Sequence, residues 1–151
     1  MKGTTLSFAV DMGAELLYCG AEIRRVEETM ELILKSYGYD SCSVSATHVN
    51  IVATVSERDG EPLTKTMRIK GKDTNLHRLE LLNALSRKIC ETKPDISVAR
   101  KELENIRKEK GSGLLAETIA FAAVGLSYSL SLGGSIGDML TALFSAAITR
   151  I

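Results

Sequence analysis

Two arginines and three glutamates follow a single glycine in the stretch YCGAEIRRVEETM, residues 18–30. At helical spacing, Glu22–Arg25 is an i,i+3 pair and Arg24–Glu28 is an i,i+4 pair. Each such pair on an exposed face stabilises a helix by about 0.2–0.5 kcal/mol. Spacing alone therefore favours a salt-bridged, solvent-facing helix surface.

A hydrolytic site is the enzymatic alternative for the same stretch. It would use Glu22, Arg25 and Glu27 with a cysteine or a histidine, and it requires a pocket that brings these side chains together. The chain holds three cysteines and two histidines: Cys19, Cys42, Cys90, His48 and His77. Their positions do not match a metal-binding motif, so we predict no metal site, no cofactor and no enzymatic activity.

Two more acids lie in or beside an apolar segment. Twenty residues without a charge run from Thr118 to Gly137. As one helix they would rise roughly 30 Å, about the hydrocarbon thickness of a bilayer. Because a carboxylate inside a membrane span is costly and usually functional, Glu117 and Asp138 are candidate contacts for a proton or a substrate. Two alternatives stay open: Glu117 at the membrane interface, and Asp138 as the cap of a second helix.

The elements that position these residues divide at a Gly-Ser-Gly hinge, residues 111–113. Before it, hydrophobic periodicity predicts helices over 5–18, 22–37, 75–90 and 96–110, and three strands within 41–69. After it, we predict an apolar helical hairpin with helices over 114–132 and 139–148. The expected fold class is α+β: helices flank a small three-stranded antiparallel sheet, and a C-terminal transmembrane hairpin follows. The expected domains are 1–110, cytoplasmic, and 111–151, the start of a membrane domain.

Charge is distributed very unevenly along the chain, although the formal net charge is zero. Residues 111–151 contain only three charged residues, Glu117, Asp138 and Arg150. Lysines and arginines elsewhere are interleaved with carboxylates, so we expect no nucleic-acid partner. Basic residues cluster before the first apolar helix, which predicts a cytoplasmic N-terminal domain. They are Arg100, Lys101, Arg107, Lys108 and Lys110.

Taken together, the sequence resembles the threonine/serine exporter family, including its relatives implicated in succinate export. Four stretches carry the resemblance: GAEIRRVEETM, VSATHVNIVATV, NLHRLELLNALSRKI and SLGGSIGDML. The first is close to a His-Gly-Ala-Glu-x-x-Arg-Val-Glu signature, with Cys19 in place of the histidine. Carried over, the signature falls on Gly20, Ala21, Glu22, Arg25, Val26 and Glu27, and the membrane motif on Gly133, Gly134 and Asp138.

The resemblance implies a cytoplasmic domain followed by several transmembrane helices in a bacterial inner membrane. It implies proton-driven secondary export of threonine, serine or dicarboxylates, with membrane lipid and a small-molecule substrate as partners. Two predicted helices cannot enclose a transport path. We therefore expect a fragment, a homo-oligomer or a second membrane subunit that completes the transporter. The alternative is a soluble α+β regulatory or binding module whose C-terminal helices pack on its own sheet.

Overall fold

The computed structural model describes the backbone of residues 2–56, 60–109 and 114–149, and among these it leaves out the side chains of 2, 114–117 and 146–149. Nine elements follow in the described chain: α1 Lys2–Tyr18, α2 Ile23–Ser36, β1 Ser41–Ala46, β2 Asn50–Ser56, β3 Leu63–Arg68, α3 Leu76–Thr92, α4 Ile96–Lys108, α5 Leu114–Ser131 and α6 Ile136–Thr149. The predicted α+β class is confirmed. The chain forms two compact units, Met1–Glu109 and Lys110–Ile151.

The three strands form the antiparallel meander that the alternating pattern predicts, in the order β1-β2-β3. Ser41 pairs with Ser56 and Ala46 with Ile51, while Asn50 pairs with Arg68 on the other side of β2. Successive side chains of a strand point to opposite faces. Accordingly Ile51, Ala53 and Val55 are buried, whereas the residues between them are only half-buried.

Helix α1 is the centre of the N-terminal unit, because it contacts α2, α3, α4, β2 and β3. Its side chains Phe8, Met12 and Leu16 are among the largest fully buried ones. A Cβ atom added at Gly13 would lie 2.3 Å from Met30 Sδ and 3.2 Å from Ile51 Cδ1. Glycine thus allows α1 to approach α2 and β2 closely.

Helix α2 packs an apolar stripe against this core. Val26, Met30, Ile33 and Leu34 are buried and recur at the spacing of one helix face. Gly38 ends the helix with φ +91°, the left-handed conformation that its sequence position predicts.

Helix α4 is fixed to α1 by two ion pairs across the unit. Arg100 Nη1 lies 2.7 Å from Asp11 Oδ2, and Arg107 Nε lies 2.8 Å from Glu15 Oε1. Both carboxylates are largely buried, so these bonds are less screened by solvent than surface pairs. They hold the C-terminal half of α1 against α4.

The C-terminal unit is a hairpin of α5 and α6, with the predicted turn at the double glycine. Helix α6 begins at Ile136 rather than at Met139, because Ser135 and Asp138 cap it earlier than the apolar pattern suggests. Many large apolar side chains of the hairpin are exposed, on α5 as well as on α6. Among them are Ile119, Phe121, Val124, Leu130, Ile136, Leu140 and Phe144. Among the described residues, no helix has both the length and the apolar character needed to cross a membrane.

Candidate functional site

The signature begins at a sharp turn that joins α1 to α2. The Gly20 N–H donates to the Leu17 carbonyl at 3.1 Å, and the Ala21 N–H donates to the Leu16 carbonyl at 2.9 Å. Gly20 has φ +91°, which disfavours any residue with a Cβ. The loop after β3 covers this turn, since the Asp73 N–H donates to the Tyr18 carbonyl at 2.8 Å. Gly20 therefore sets the direction in which α2 leaves α1.

Glu22 is the N-cap residue of α2, with an extended backbone and no capping hydrogen bond from its side chain. Its carbonyl accepts the Val26 N–H at 3.1 Å. Within the described residues, Glu22 and Arg25 do not form the ion pair that their spacing predicts. Arg24 and Glu28 do form theirs, with Arg24 Nε 3.0 Å from Glu28 Oε1 on the exposed face. The i,i+3 rule assumes helical backbone at both residues, and Glu22 lies just outside the helix.

A small pocket of about 130 Å³ opens beside these residues, between α1, α2 and α3. Apolar side chains from all three helices line part of it: Leu16, Val26 and Leu79. Polar side chains line the rest: Glu22, Arg25, Thr29 and Asn83. Gly20 and Ala21 complete the wall. Five of the six signature positions thus line one pocket, which we name the signature pocket.

Glu27 has a different role from its neighbours in the signature. Its Oε1 accepts the backbone N–H of Ala46 at 2.7 Å, at the end of β1. Glu27 is absent from the pocket lining. The carboxylate joins α2 to the edge strand and satisfies an outward-facing N–H of that strand. We assign Glu27 a structural role.

The hydrolytic constellation considered above is not assembled. Glu27 is bonded to β1, whereas Glu22 and Arg25 are exposed at the signature pocket. The histidines are exposed elsewhere, His48 in the β1–β2 turn and His77 in the first turn of α3. These side chains come from three places, α2, the β1–β2 turn and α3, and neither a histidine nor a cysteine lines the signature pocket. The described residues therefore do not bring a nucleophile and a base together there.

Cys19, the residue that replaces the signature histidine, is fully buried. Burial raises the pKa of its thiol above the usual value, and the nearby Arg78 guanidinium only partly opposes this shift. The neutral thiol is therefore favoured in the folded protein. Cys19 is a core residue and not an activated nucleophile.

Alkylation should show this burial. We expect iodoacetamide at about pH 8 to modify Cys19 far more slowly than the half-buried Cys42 and Cys90, because attack requires an accessible thiolate. Mass spectrometry of peptides measures the rates, and the unfolded chain in urea is the control in which all three should react alike. Equal rates in the folded protein would contradict this assignment.

The same pKa shift predicts an alkaline loss of stability. The folded-state pKa of Cys19 lies above its unfolded value, so this contribution is fully present below the unfolded pKa. It is lost as the pH rises through the folded pKa. A Cys19→Ala protein should lose less stability than the wild type between neutral and strongly alkaline pH in urea unfolding; an identical pH dependence would contradict the assignment.

The hairpin turn forms a second candidate site. Asp138 Oδ2 accepts the backbone N–H and the hydroxyl of Ser135, both at 2.8 Å, and the Asp138 N–H approaches Ser135 Oγ at 3.4 Å. This is a reciprocal capping arrangement at the start of α6. Gly133 has φ +71°, and a Cβ at Gly134 would lie 3.0 Å from the Ser129 carbonyl oxygen. The side chain of Glu117 lies outside the described residues.

A wider cleft of about 640 Å³ is lined in part by Tyr37, Pro94, Ser97 and Arg100. Tyr37 Oη donates to the Pro94 carbonyl at 2.6 Å, and Arg100 is held by Asp11. The charged Arg100 and the phenol of this cleft are thus already engaged within the protein. The signature pocket differs, since Glu22 and Arg25 make no side-chain bond within the described part of the chain.

Comparison with known protein families decides the class of protein. Residues 7–151 match a family model, ThrE, described as "Putative threonine/serine exporter". The chain belongs to the threonine/serine exporter family. The match covers both candidate sites, the signature pocket and the hairpin turn. The exporter family is a class of transporters and not a class of enzymes. No curated protein and no solved structure matches the chain significantly.

The sequence indicated part of the signature pocket and missed the rest. Thr29 and Asn83 were not predicted as site residues, although each has a signal. Thr29 follows Arg25 by four residues and Asn83 follows Leu79 by four, so each pair lies on one helix face. The sequence did not indicate that α3 meets α2 at this point.

Proposed function

We propose that this chain is a subunit or fragment of a secondary membrane exporter of small amino acids, threonine and serine first, driven by the proton gradient. The observation that carries the proposal is the family match over residues 7–151, which includes the hairpin as well as the N-terminal unit. Dicarboxylates are a second substrate class, by similarity to the family's succinate-export relatives. The chain's two apolar helices require further helices, from copies of this chain or from a second subunit, to enclose a path.

The bonding of the hairpin supports a place in the membrane. Polar groups in lipid must be satisfied within the protein. The hydroxyls of Ser127, Ser131 and Thr141 each donate to a backbone carbonyl of their own helix at 2.8–2.9 Å. The exposed side chains around them are largely apolar. Small residues at this density are typical of helices that pack against other membrane helices.

Cell fractionation tests this placement. We expect the chain to stay with bacterial inner membranes after an alkaline carbonate wash, with the N-terminal unit accessible to protease only from the cytoplasmic side. The basic cluster before α5 predicts this orientation. Recovery in the supernatant would instead support the soluble regulatory module.

Asp138 is the residue through which we test transport. Asparagine retains an oxygen that can cap α6 but removes the charge, whereas Ser135→Ala removes the capping hydroxyl and retains the carboxylate. If Asp138 contacts a proton or the substrate, Asp138→Asn abolishes threonine export by the assembled transporter and Ser135→Ala weakens it only modestly. If Asp138→Asn protein exports threonine at the wild-type rate and Ser135→Ala protein does not, Asp138 serves only to cap α6.

Glu117 is the other candidate pathway carboxylate, and it lies near the start of α5. Glu117→Gln in the same export assay tests it. We expect a reduced rate of export with unchanged membrane abundance, because a carboxylate within or beside a membrane span is a candidate contact for a proton or a substrate. An unchanged rate would place Glu117 at the membrane interface without a transport role.

A further inference from the structure

We propose that the signature pocket binds one molecule of a small zwitterionic α-amino acid, on the N-terminal unit and separately from the transport path. The proposal rests on the proposed export function only for the choice of threonine and serine as the first ligands. The evidence is the presence of two opposite charges, exposed to solvent and without an ion-pair partner among the described residues, at one small pocket.

The charges are the first step. Glu22 and Arg25 both line the pocket, yet within the described residues neither takes part in an ion pair or a side-chain hydrogen bond. Their neighbours in the same stretch, Arg24 and Glu28, do pair with each other. An α-amino acid carries one charged group of each sign, and both groups are bonded to its α-carbon. Its carboxylate fits the guanidinium fork of Arg25, and its ammonium group fits the carboxylate of Glu22.

The neutral polar groups are the second step. The Thr29 hydroxyl donates to the Arg25 carbonyl at 2.7 Å, so its oxygen is left as an acceptor towards the pocket. The side-chain amide of Asn83 has no hydrogen bond within the described part of the chain, and it offers both a donor and an acceptor. Together they can bond a ligand hydroxyl, which favours serine and threonine over alanine.

The size of the pocket is the third step. About 130 Å³ is the space of roughly four water molecules at about 30 Å³ each, whereas pockets for drug-sized ligands measure roughly 300–1,000 Å³. The pocket therefore has room for a small side chain, whereas a long or aromatic side chain would extend beyond it. Its apolar wall of Leu16, Val26 and Leu79 suits a single methyl group, which favours threonine over serine.

A bound amino acid would contact α1, α2 and α3 at once, because each helix contributes to the wall. Occupancy therefore stabilises the arrangement of these helices through binding linkage. The consequence is a domain whose stability reports the concentration of a small amino acid on its own side of the membrane.

Ligand-observed NMR of the purified whole chain, with L-threonine titrated to about 50 mM, tests the proposal. We expect saturable binding in the millimolar range, since so few ligand atoms set a low ceiling on affinity. Removing a charge should weaken binding, so N-acetyl-threonine and threonine amide should both bind at least about tenfold more weakly. Leucine and phenylalanine should compete more weakly than serine.

Arg25→Gln and Arg24→Gln are the matched pair of variants. Both arginines are exposed on α2, and only Arg25 lines the pocket. Arg25→Gln should weaken threonine binding at least about tenfold, while Arg24→Gln leaves it unchanged. Circular dichroism and thermal unfolding without ligand verify that each variant folds.

Absence of saturable threonine binding, or equal weakening by the two arginine variants, would overturn the proposal. Equal affinity for threonine and N-acetyl-threonine would also overturn the proposal. It would mean that the ammonium group, and hence its pairing with Glu22, does not contribute to binding. Binding is measured on purified protein and export in cells, so the two hypotheses fail separately. Binding without export would refute only the proposed export function. Export without binding would refute only the proposed amino-acid site in the signature pocket.

Discussion

Replacing Glu27 by alanine is expected to lower the free energy of unfolding of the N-terminal unit by about 1.5–3 kcal/mol, the range for a hydrogen bond to a charged group. Glu27 Oε1 accepts the Ala46 N–H at 2.7 Å, and Ala46 is buried at the end of β1. Truncation leaves this backbone donor without a partner. Urea unfolding of the whole chain, followed by circular dichroism, measures the change.

Glu28→Ala is the matched control for this substitution. Glu28 is the next residue along α2, and its ion pair with Arg24 is exposed to solvent. Exposed pairs typically contribute about 1 kcal/mol or less, so the control should lose much less stability than Glu27→Ala. Glu27→Gln should lie between them, since a neutral acceptor forms a weaker bond. Equal destabilisation by Glu27→Ala and Glu28→Ala would contradict a structural role for Glu27.

The second large effect is expected at Gly134, where alanine should destabilise the hairpin by about 1–3 kcal/mol. The added Cβ would lie 2.6 Å from Ser129 Oγ and 3.0 Å from the Ser129 carbonyl oxygen. The hydroxyl can rotate away, but the carbonyl is fixed because it also accepts the Gly134 N–H at 2.9 Å. The turn must shift to admit the methyl group. Hydrogen exchange measured by mass spectrometry should become faster in the last turn of α5 and the first turn of α6, which flank the glycines.

Gly137→Ala is the control in the same motif. Its Cβ would meet only Ser135 Oγ at 3.7 Å, an ordinary contact, and Gly137 lies within α6. Alanine in a helix is favoured over glycine by about 0.5–1 kcal/mol, so this variant should slow exchange in α6. Faster exchange in Gly137→Ala, or unchanged exchange in Gly134→Ala, would contradict the observed turn geometry.

The elements with local signals were predictable from the sequence. The stripe of α2 and the alternation in β2 depend on helix and strand periods, which can be read from neighbouring residues. The left-handed Gly38 follows from a glycine at the end of a helical pattern. Belonging to the exporter family was also predictable, because the motifs that carry it are contiguous stretches, and the family match confirms it.

What could not be predicted depends on contacts between distant residues. Glu27 bonds to Ala46, nineteen positions away, and the spacing of charges gives no sign of this partner. Glu22 fails to pair with Arg25 because it is the N-cap, one residue outside the helix that the pairing rule assumes. Leu16 and Asn83 reach the signature pocket from α1 and α3, and helix packing alone brings them there.

The signature therefore contains residues with three distinct roles. Gly20 makes the turn between α1 and α2, Glu27 joins α2 to β1, and Glu22 with Arg25 lines a pocket. The membrane motif has an analogous division between the close turn at Gly134 and the capping carboxylate of Asp138. In both motifs glycines set the path of the backbone. The charged side chains cap a helix, bond to a strand or line a pocket.

Efflux of labelled threonine from preloaded cells tests the central claim, amino-acid export, most directly. Cells that produce the chain together with its companion helices, and whose membrane fraction contains the protein, should lose labelled threonine faster than cells without it. A protonophore should abolish the difference, because the proposed export uses the proton gradient. Efflux at the rate of the cells without the protein, despite its presence in the membrane, would contradict the account.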